Sequence, residues 1–259
     1  MKKTALIFMI MVLCTVGMVC AQQPKISTTA QEQPQVGGDG GVYLASDVTT
    51  PRSERLGEFD KISIAGRMQV TLIRVAEGES AKIYFDTKGV VTSKFKIEID
   101  RKGVLNVTES VDSKRTTVTE VKIYYHDISS LAIAGANVTM EQSFERDMFD
   151  VSVTGGATLH AKVNVLDMSM MVTGSSIVVI EGASRYLGLK ISTAKFDANA
   201  LQTMSTIVDA SHGAEVSLLV TERLEAATST SAKVTYRGNP ALVRAHSSLF
   251  GGDISSADK

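Results

Sequence analysis

Four histidines, His126, His160, His212 and His246, and the close pair Asp147 and Asp150 are the side chains best suited to hold a metal or move a proton. A metal centre needs several ligands converging on one point, and these histidines show no ligand spacing. Each reads as a surface or corner residue. Asp147 and Asp150 flank Phe149 and could form an acid and base pair, but an exposed turn between structural units accounts for them more simply. Neither a nucleophile elbow nor a phosphate loop is present. Asn106-Val107-Thr108 and Asn137-Val138-Thr139 fit the glycosylation pattern, yet both fall in runs that alternate like strands. The sequence therefore predicts no catalytic residue, no metal ligand and no cofactor, and it singles out no binding residue. The expected class is non-enzymatic.

Cys14 and Cys20 lie in a leader, residues 1–21, that reads as an export signal. Met1-Lys2-Lys3 gives a positive start, Ala5 to Val19 carries no charge, and Ala21 is a small residue at the cleavage point. The apolar run is shorter than the roughly 20 residues of a spanning helix, so no transmembrane span is expected. The expected location is the periplasm or the outer cell surface. The alternative is a lipoprotein signal cut before Cys20 with lipid on that residue; bulky Val19 stands against it. With both cysteines in the leader, the exported chain has no disulfide framework. Residues 22–55 hold Pro24, Pro34, Pro51 and the Gly37-Gly38-Asp39-Gly40-Gly41 cluster, with few apolar residues, and predict a flexible linker. Removing Lys2 and Lys3 takes the basic count from 27 to 25 against 28 acidic residues, a net charge of −3. That excludes an electrostatic case for nucleic acid.

From Leu56 onward only Pro240 interrupts the chain, there is no Trp, and aromatic residues make up 5% of the whole. Such a stretch, rich in Val, Ile, Ser, Thr, Gly and Ala, suits short strands. A pattern of small, small, polar and apolar residues starts at Gly135, Gly156, Gly174, Thr193, Gly213, Ser231 and Gly251, at separations of 21, 18, 19, 20, 18 and 20 residues. The second column, Ala136, Ala157, Ser175, Ala194, Ala214, Ala232 and Gly252, is small throughout. The third, Asn137, Thr158, Ser176, Lys195, Glu215, Lys233 and Asp253, is polar. The fourth, Val138, Leu159, Ile177, Phe196, Val216, Val234 and Ile254, is apolar.

An apolar column beside a polar one is what a strand alternating between core and solvent requires. Short strands joined by tight corners cannot bury their apolar side alone, so the units must stack. The expected fold is all-β, a parallel β-helix or solenoid with coils of about 19 residues and the fourth column as an internal ladder. Residues 131–259 form its regular repeats. Residues 56–130, with the same strand character and looser spacing, form opening coils or a small sheet covering the N-terminal end, continuous with the rest. Thr154, Thr173, Ser192, Ser211 and Thr230 precede the motif and suggest a stacked hydroxyl ladder at a corner, with a sugar- or ice-binding surface as the alternative. Lys195, Glu215, Lys233 and Asp253 alternate in sign and predict a salt-bridge ladder.

The opening Phe59-Asp60-Lys61-Ile62-Ser63-Ile64-Ala65-Gly66, the segment Gly103-Val104-Leu105-Asn106-Val107, the segment Leu131-Ala132-Ile133-Ala134-Gly135-Ala136 and the recurring Thr-Gly-Ala or Thr-Gly-Ser units carry a resemblance. From about Phe59 to the C-terminus the chain resembles the auto-transporter adhesin, head GIN domain, family of exported bacterial proteins. The resemblance implies a right-handed β-helix, an envelope or surface location and an adhesive role. The chain departs from the family's Ser-Gly-Ala form at Ser192-Thr193-Ala194 and Thr230-Ser231-Ala232. Without glycine, the tightest corner loses its sequence warrant in those two coils. The functional expectation is an exported, adhesin-like or structural binding module, whose partner is a surface glycan or an envelope protein. A carbohydrate-binding or polysaccharide-cleaving β-helix is the alternative. Self-association through the solenoid ends is a further expectation.

Overall fold

The computed structural model describes residues 41–43, 51–88, 95–110, 116–248 and 250–258. The expected leader and most of the expected linker lie outside the described residues. The opening strands are β1 (Gly41–Tyr43), β2 (Arg52–Arg55), β3 (Lys61–Ala65), β4 (Met68–Arg74), β5 (Lys82–Asp86), β6 (Phe95–Ile99), β7 (Val104–Glu109), β8 (Thr119–Tyr125), β9 (Ser130–Ala134) and β10 (Asn137–Met140). The longer strands β11 (Phe144–Thr154), β12 (Thr158–Thr173), β13 (Ile177–Ser192), β14 (Lys195–Ser211) and β15 (Glu215–Thr228) follow. β16 (Ala232–Arg237), β17 (Leu242–Ser247) and β18 (Gly252–Ser256) close the chain. No helix occurs among the described residues. The result is a parallel β-solenoid of about seven turns with coils of about 19 residues.

Each long strand bends while staying hydrogen-bonded to its neighbours. β12 pairs first with β10, through Thr158 to His160, and then with β11, through Val163 to Val172. The bends are visible in the burial pattern. Alternation of period two breaks where two successive residues point outward, as at Leu166 and Asp167 or at Arg185 and Tyr186. A strand that wraps a core must turn its backbone there, because both side chains lie on the convex side.

The internal ladder is present and longer than the repeat alone showed. In register it runs Val121, Val70, Val138, Leu159, Val178, Phe196, Val216, Val234 and Ile254. Eight of these nine are fully buried, and Ile254 in the last coil packs partly buried against the same core. At about 4.8 Å between coils, neighbouring side chains on this ladder touch, and each adds roughly 1.5–3 kcal/mol of apolar burial.

One member differs from expectation. Ile177 is 46% exposed, and Val178 takes the inner position. Thr158 pairs with Ile177 and Leu159 with Val178, so the motif of that coil starts at Ser175 rather than Gly174. Ser176 thereby joins the small inner column, where it is buried and donates a hydrogen bond to the Thr173 carbonyl at 2.7 Å. Two adjacent apolar residues, Ile177 and Val178, made both registers fit the sequence; only pairing with the flanking coils separates them.

The first motif position is a left-handed corner in every coil. Gly135, Gly156, Ser175, Thr193, Gly213, Ser231 and Gly251 all have φ between 52° and 76°. Six of the seven amides donate along the stack, as Ser175 N–H does to the Thr193 carbonyl at 2.6 Å and Gly213 N–H to the Thr230 carbonyl at 2.9 Å; Gly251 N–H donates within its own corner, to the Ser248 carbonyl at 3.1 Å. The corner geometry therefore persists at Thr193 and Ser231, although neither is glycine. Inter-coil hydrogen bonds and buried Ala194 and Ala232 offset the strain of the left-handed conformation, about 1–2 kcal/mol per residue. The hydroxyl column is stacked, with one change of member. Ala210 pairs with Thr228, which sets Ser229 beside Ser211 in place of Thr230. Its hydroxyls do not bond along the column; Thr154 donates to the Ile133 carbonyl instead.

The opening coils are not stacked in chain order. β3 lies between β7 and β9, and β4 between β8 and β10. Ile64 therefore sits directly against Ile133, and Ala65 against Ala134, which explains the sequence echo between the two segments. Antiparallel strands β5 and β6 then cover the outer edges of β8 and β7. β2 adds to β5, and β1 to β6. Arg52–Arg55 and Gly41–Tyr43, within the stretch 22–55 expected as a linker, are sheet strands.

Candidate functional site

Outward columns differ in how far their polar groups satisfy one another. Beyond the ladder described above, Lys195, Glu215, Lys233 and Asp253 follow in register, and Lys195 Nζ lies 2.8 Å from Glu215 Oε2. That hydrogen bond and the ammonium charge hold the Glu215 carboxyl below its ordinary range. Ile177, rather than Ser176, precedes Lys195 in this column. Elsewhere Glu225 is paired with both Arg223 and Arg244, which likewise depress its carboxyl.

The strand segments that lead into the left-handed corner carry two outward columns. One runs Ser130, Asp150, Ser169, Gly188, Ile207 and Glu225; the other runs Ala132, Ser152, Met171, Lys190, Asp209 and Ala227. Gly188 has no side chain, and the gap opens a groove of about 400 Å3. Met171 and Ile207, both about half exposed, form its apolar sides. Asp150, Ser152, Ser169, Lys190 and Asp209 surround them. Among the described residues, none of these five side chains makes a hydrogen bond or ion pair. Lys190 and Asp209 face each other in register without pairing, unlike Lys195 and Glu215.

Such a surface can bind through apolar contact and through donors and acceptors of both kinds. Asp150 and Asp209 are separated by three coil spacings, about 14 Å between backbones. A glycosidase pair stands roughly 5–9.5 Å apart, so these two are not placed for that chemistry.

Sequence-selected residues fall elsewhere, with one exception. Asp147 and Asp150 lie within β11 rather than in a turn; both are exposed, and Asp150 alone lines the groove. His160 and His246 are exposed on β12 and β17. His212 occupies a corner with φ of 52°, its Nδ1 3.3 Å from Ser192 Oγ. The His126 carbonyl accepts a hydrogen bond from Arg74 Nε at 3.0 Å, beside a second, polar cleft lined by Asp127 and Gln142. Among the described residues, no three of His, Cys, Asp and Glu are grouped to hold a metal ion. Asn106 and Asn137 are both in strands, β7 and β10. The groove was legible only in part. The run Leu187-Gly188-Leu189-Lys190-Ile191 places Gly188 and Lys190 outward by alternation, but their neighbours come from other coils.

Stacked parallel coils with a shallow, mixed groove on an outer face define a repeat-built β-solenoid. The chain belongs to the family described as "Putative auto-transporter adhesin, head GIN domain", whose model matches residues 58–240. β17 and β18 lie beyond that match, which therefore ends short of the C-terminus. No curated protein sequence matches the chain significantly. Among solved structures it is similar to a "putative adhesin" from Bacteroides fragilis NCTC 9343. The identity is 16%, the match covers 80% of this chain and 96% of that one, and the TM-score is 0.70. A "putative lipid binding protein" from Parabacteroides distasonis ATCC 8503 is 13% identical over 80% of this chain and 96% of that one, with a TM-score of 0.62. A "putative adhesin" from Parabacteroides merdae ATCC 43184 is 15% identical over 80% and 95%, with a TM-score of 0.62. At these identities the likeness shows the fold. No described helix is long and apolar enough to cross a membrane.

Proposed function

We propose that this chain is exported to the cell envelope and acts there as a non-enzymatic, adhesin-like binding module that presents the Gly188 face to a surface glycan or envelope protein. The observation that carries this reading is the groove itself. Its five polar side chains are unsatisfied internally, whereas Lys195 and Glu215, in register on the outward column beyond the corner, pair with each other. Family membership supports the adhesive class, and the leader supports export, with cleavage after Ala21.

Two measurements test the reading. Fractionation of the native cells, combined with protease treatment of intact cells, is expected to find the chain in the periplasm or on the surface; a cytoplasmic chain overturns export. Mass spectrometry is expected to give a mature N-terminus at Gln22, and an acylated Cys20 replaces that cleavage with lipid anchoring.

A second reading, stacking of one copy on another, is favoured by the last coil. All six residues of β17 are exposed, including Val243 at 41%, although its partner Leu224 is fully buried. Sedimentation velocity separates the readings: a species growing with concentration supports stacking, and a monomer throughout removes it.

A further inference from the structure

We infer that position 188 is glycine for the sake of a ligand, and that the groove it opens receives uncharged sugar rings of a glycan. This deepens the binding-module reading and rests on it. Glycine within a strand weakens pairing and packs nothing, so its presence calls for a backbone or ligand reason.

At Gly182 the reason is backbone. Its φ is 113°, and a Cβ would overlap the Val163 carbonyl of the preceding coil. Gly66 and Gly238 are bound in the same way, against Glu109 and Val220. Gly188 has no such constraint. Its φ is not positive, and a Cβ there would meet only the Met168 carbonyl at 4.0 Å, an ordinary contact. The fold would accept a side chain at 188, and the strand would gain from one. What a side chain would fill is the groove between Met171 and Ile207.

The chemistry of the rim selects the ligand. Two carboxylates, Asp150 and Asp209, outnumber the single ammonium of Lys190, which disfavours a polyanion such as a uronic-acid polymer. The backbone groups beneath are used within the sheet, pairing on both sides with Ser169 and Ile207, so an extended peptide finds no strand edge to pair with. A sugar hydroxyl is both donor and acceptor, and it can meet carboxylate, ammonium and serine hydroxyl in turn. The C–H face of the ring would lie over Gly188 between the two apolar walls. The cavity, about 400 Å3, is within the roughly 300–1,000 Å3 of small-ligand clefts.

Calorimetric titration of the purified full chain provides the test. The probes are neutral oligomers of glucose and of N-acetylglucosamine. Oligogalacturonate, an unstructured peptide and phosphatidylglycerol–phosphatidylcholine vesicles serve as comparisons. At least one neutral oligomer is expected to bind, at least tenfold more weakly to Gly188→Val and to Lys190→Ala. The thermal midpoint of Gly188→Val is expected to equal or exceed that of the parent. Undiminished binding by Gly188→Val, tighter binding of any comparison probe, no binding of any neutral oligomer, or a lowered midpoint in Gly188→Val each overturns the inference. Adherence of the chain to intact envelopes separates the two levels. If Gly188→Val still adheres, the groove is not the site although the binding module stands; if the parent chain adheres to nothing, the module reading falls as well.

Discussion

The Lys195 ammonium and the Glu215 carboxylate meet at 2.8 Å across adjacent coils, and Lys233 follows Glu215 in the same outward column. Glu215→Lys would set three ammonium groups in line. A lower thermal midpoint is expected by scanning calorimetry, with the deficit shrinking as salt is added, because these charges are exposed and screened. The folded Glu215 carboxyl is depressed below 4.5, so its contribution is present above that value and lost as pH falls through the folded pKa. The difference between variant and parent should therefore narrow in acid. An unchanged midpoint at neutral pH and low salt would refute the proposed ladder energetics.

Ile177 and Val178 give a direct test of register. Ile177→Ser, on the exposed side, is expected to change stability by no more than about 0.5 kcal/mol. Val178→Ala removes buried methyl groups between Leu159 and Phe196, and is expected to cost about 2 kcal/mol. Urea denaturation of the two variants checks the order; a larger loss at 177 would restore the other register.

Backbone conformation predicts effects of opposite sign at a corner and within a strand. Thr193 is β-branched at φ 52°, and Thr193→Gly is expected to stabilise by about 1 kcal/mol, raising the midpoint by roughly 2–4 °C. Gly182→Ala drives a methyl group into the Val163 carbonyl and should cost about 2–3 kcal/mol, lowering the midpoint by roughly 5–10 °C. A stabilised Gly182→Ala would contradict the close approach of those coils.

Tyr125 is 2% exposed and its ring is tilted against Phe144, with ring centroids 6.5 Å apart. Burial pushes its phenol up to about 12 from 10.0. The folded state thus resists ionisation: stability is fully present below pH 10 and lost as pH rises toward 12, by about 2–3 kcal/mol. Spectrophotometric titration should show one tyrosine ionising late, and Tyr125→Phe should remove that step and part of the alkaline instability. Equal titration of all tyrosines would place Tyr125 in water.

How much of this was legible in the sequence follows from period and distance. Alternation of Val, Ile and Leu with polar residues, and the return of a small pair about every nineteen residues, determined stacked coils, because a strand whose one side is apolar must bury that side and no single coil can do so. The order of the charged column from Lys195 to Asp253 was equally determined, since register carries column order into space, but of the expected salt-bridge ladder only Lys195 and Glu215 are ion-paired among the described residues.

Only the tertiary structure decided the rest. It chose Val178 over Ile177, placed β3 between β7 and β9 against chain order, and kept left-handed corners at Thr193 and Ser231 where local preference opposes them. It also assembled the groove from Asp150, Ser169, Gly188 and Asp209, which belong to four successive coils. Local pattern fixes which side of a strand is buried; which coil lies beside it is set by pairing between residues far apart in the chain, and that pairing alone separates a glycine the backbone needs from one it does not.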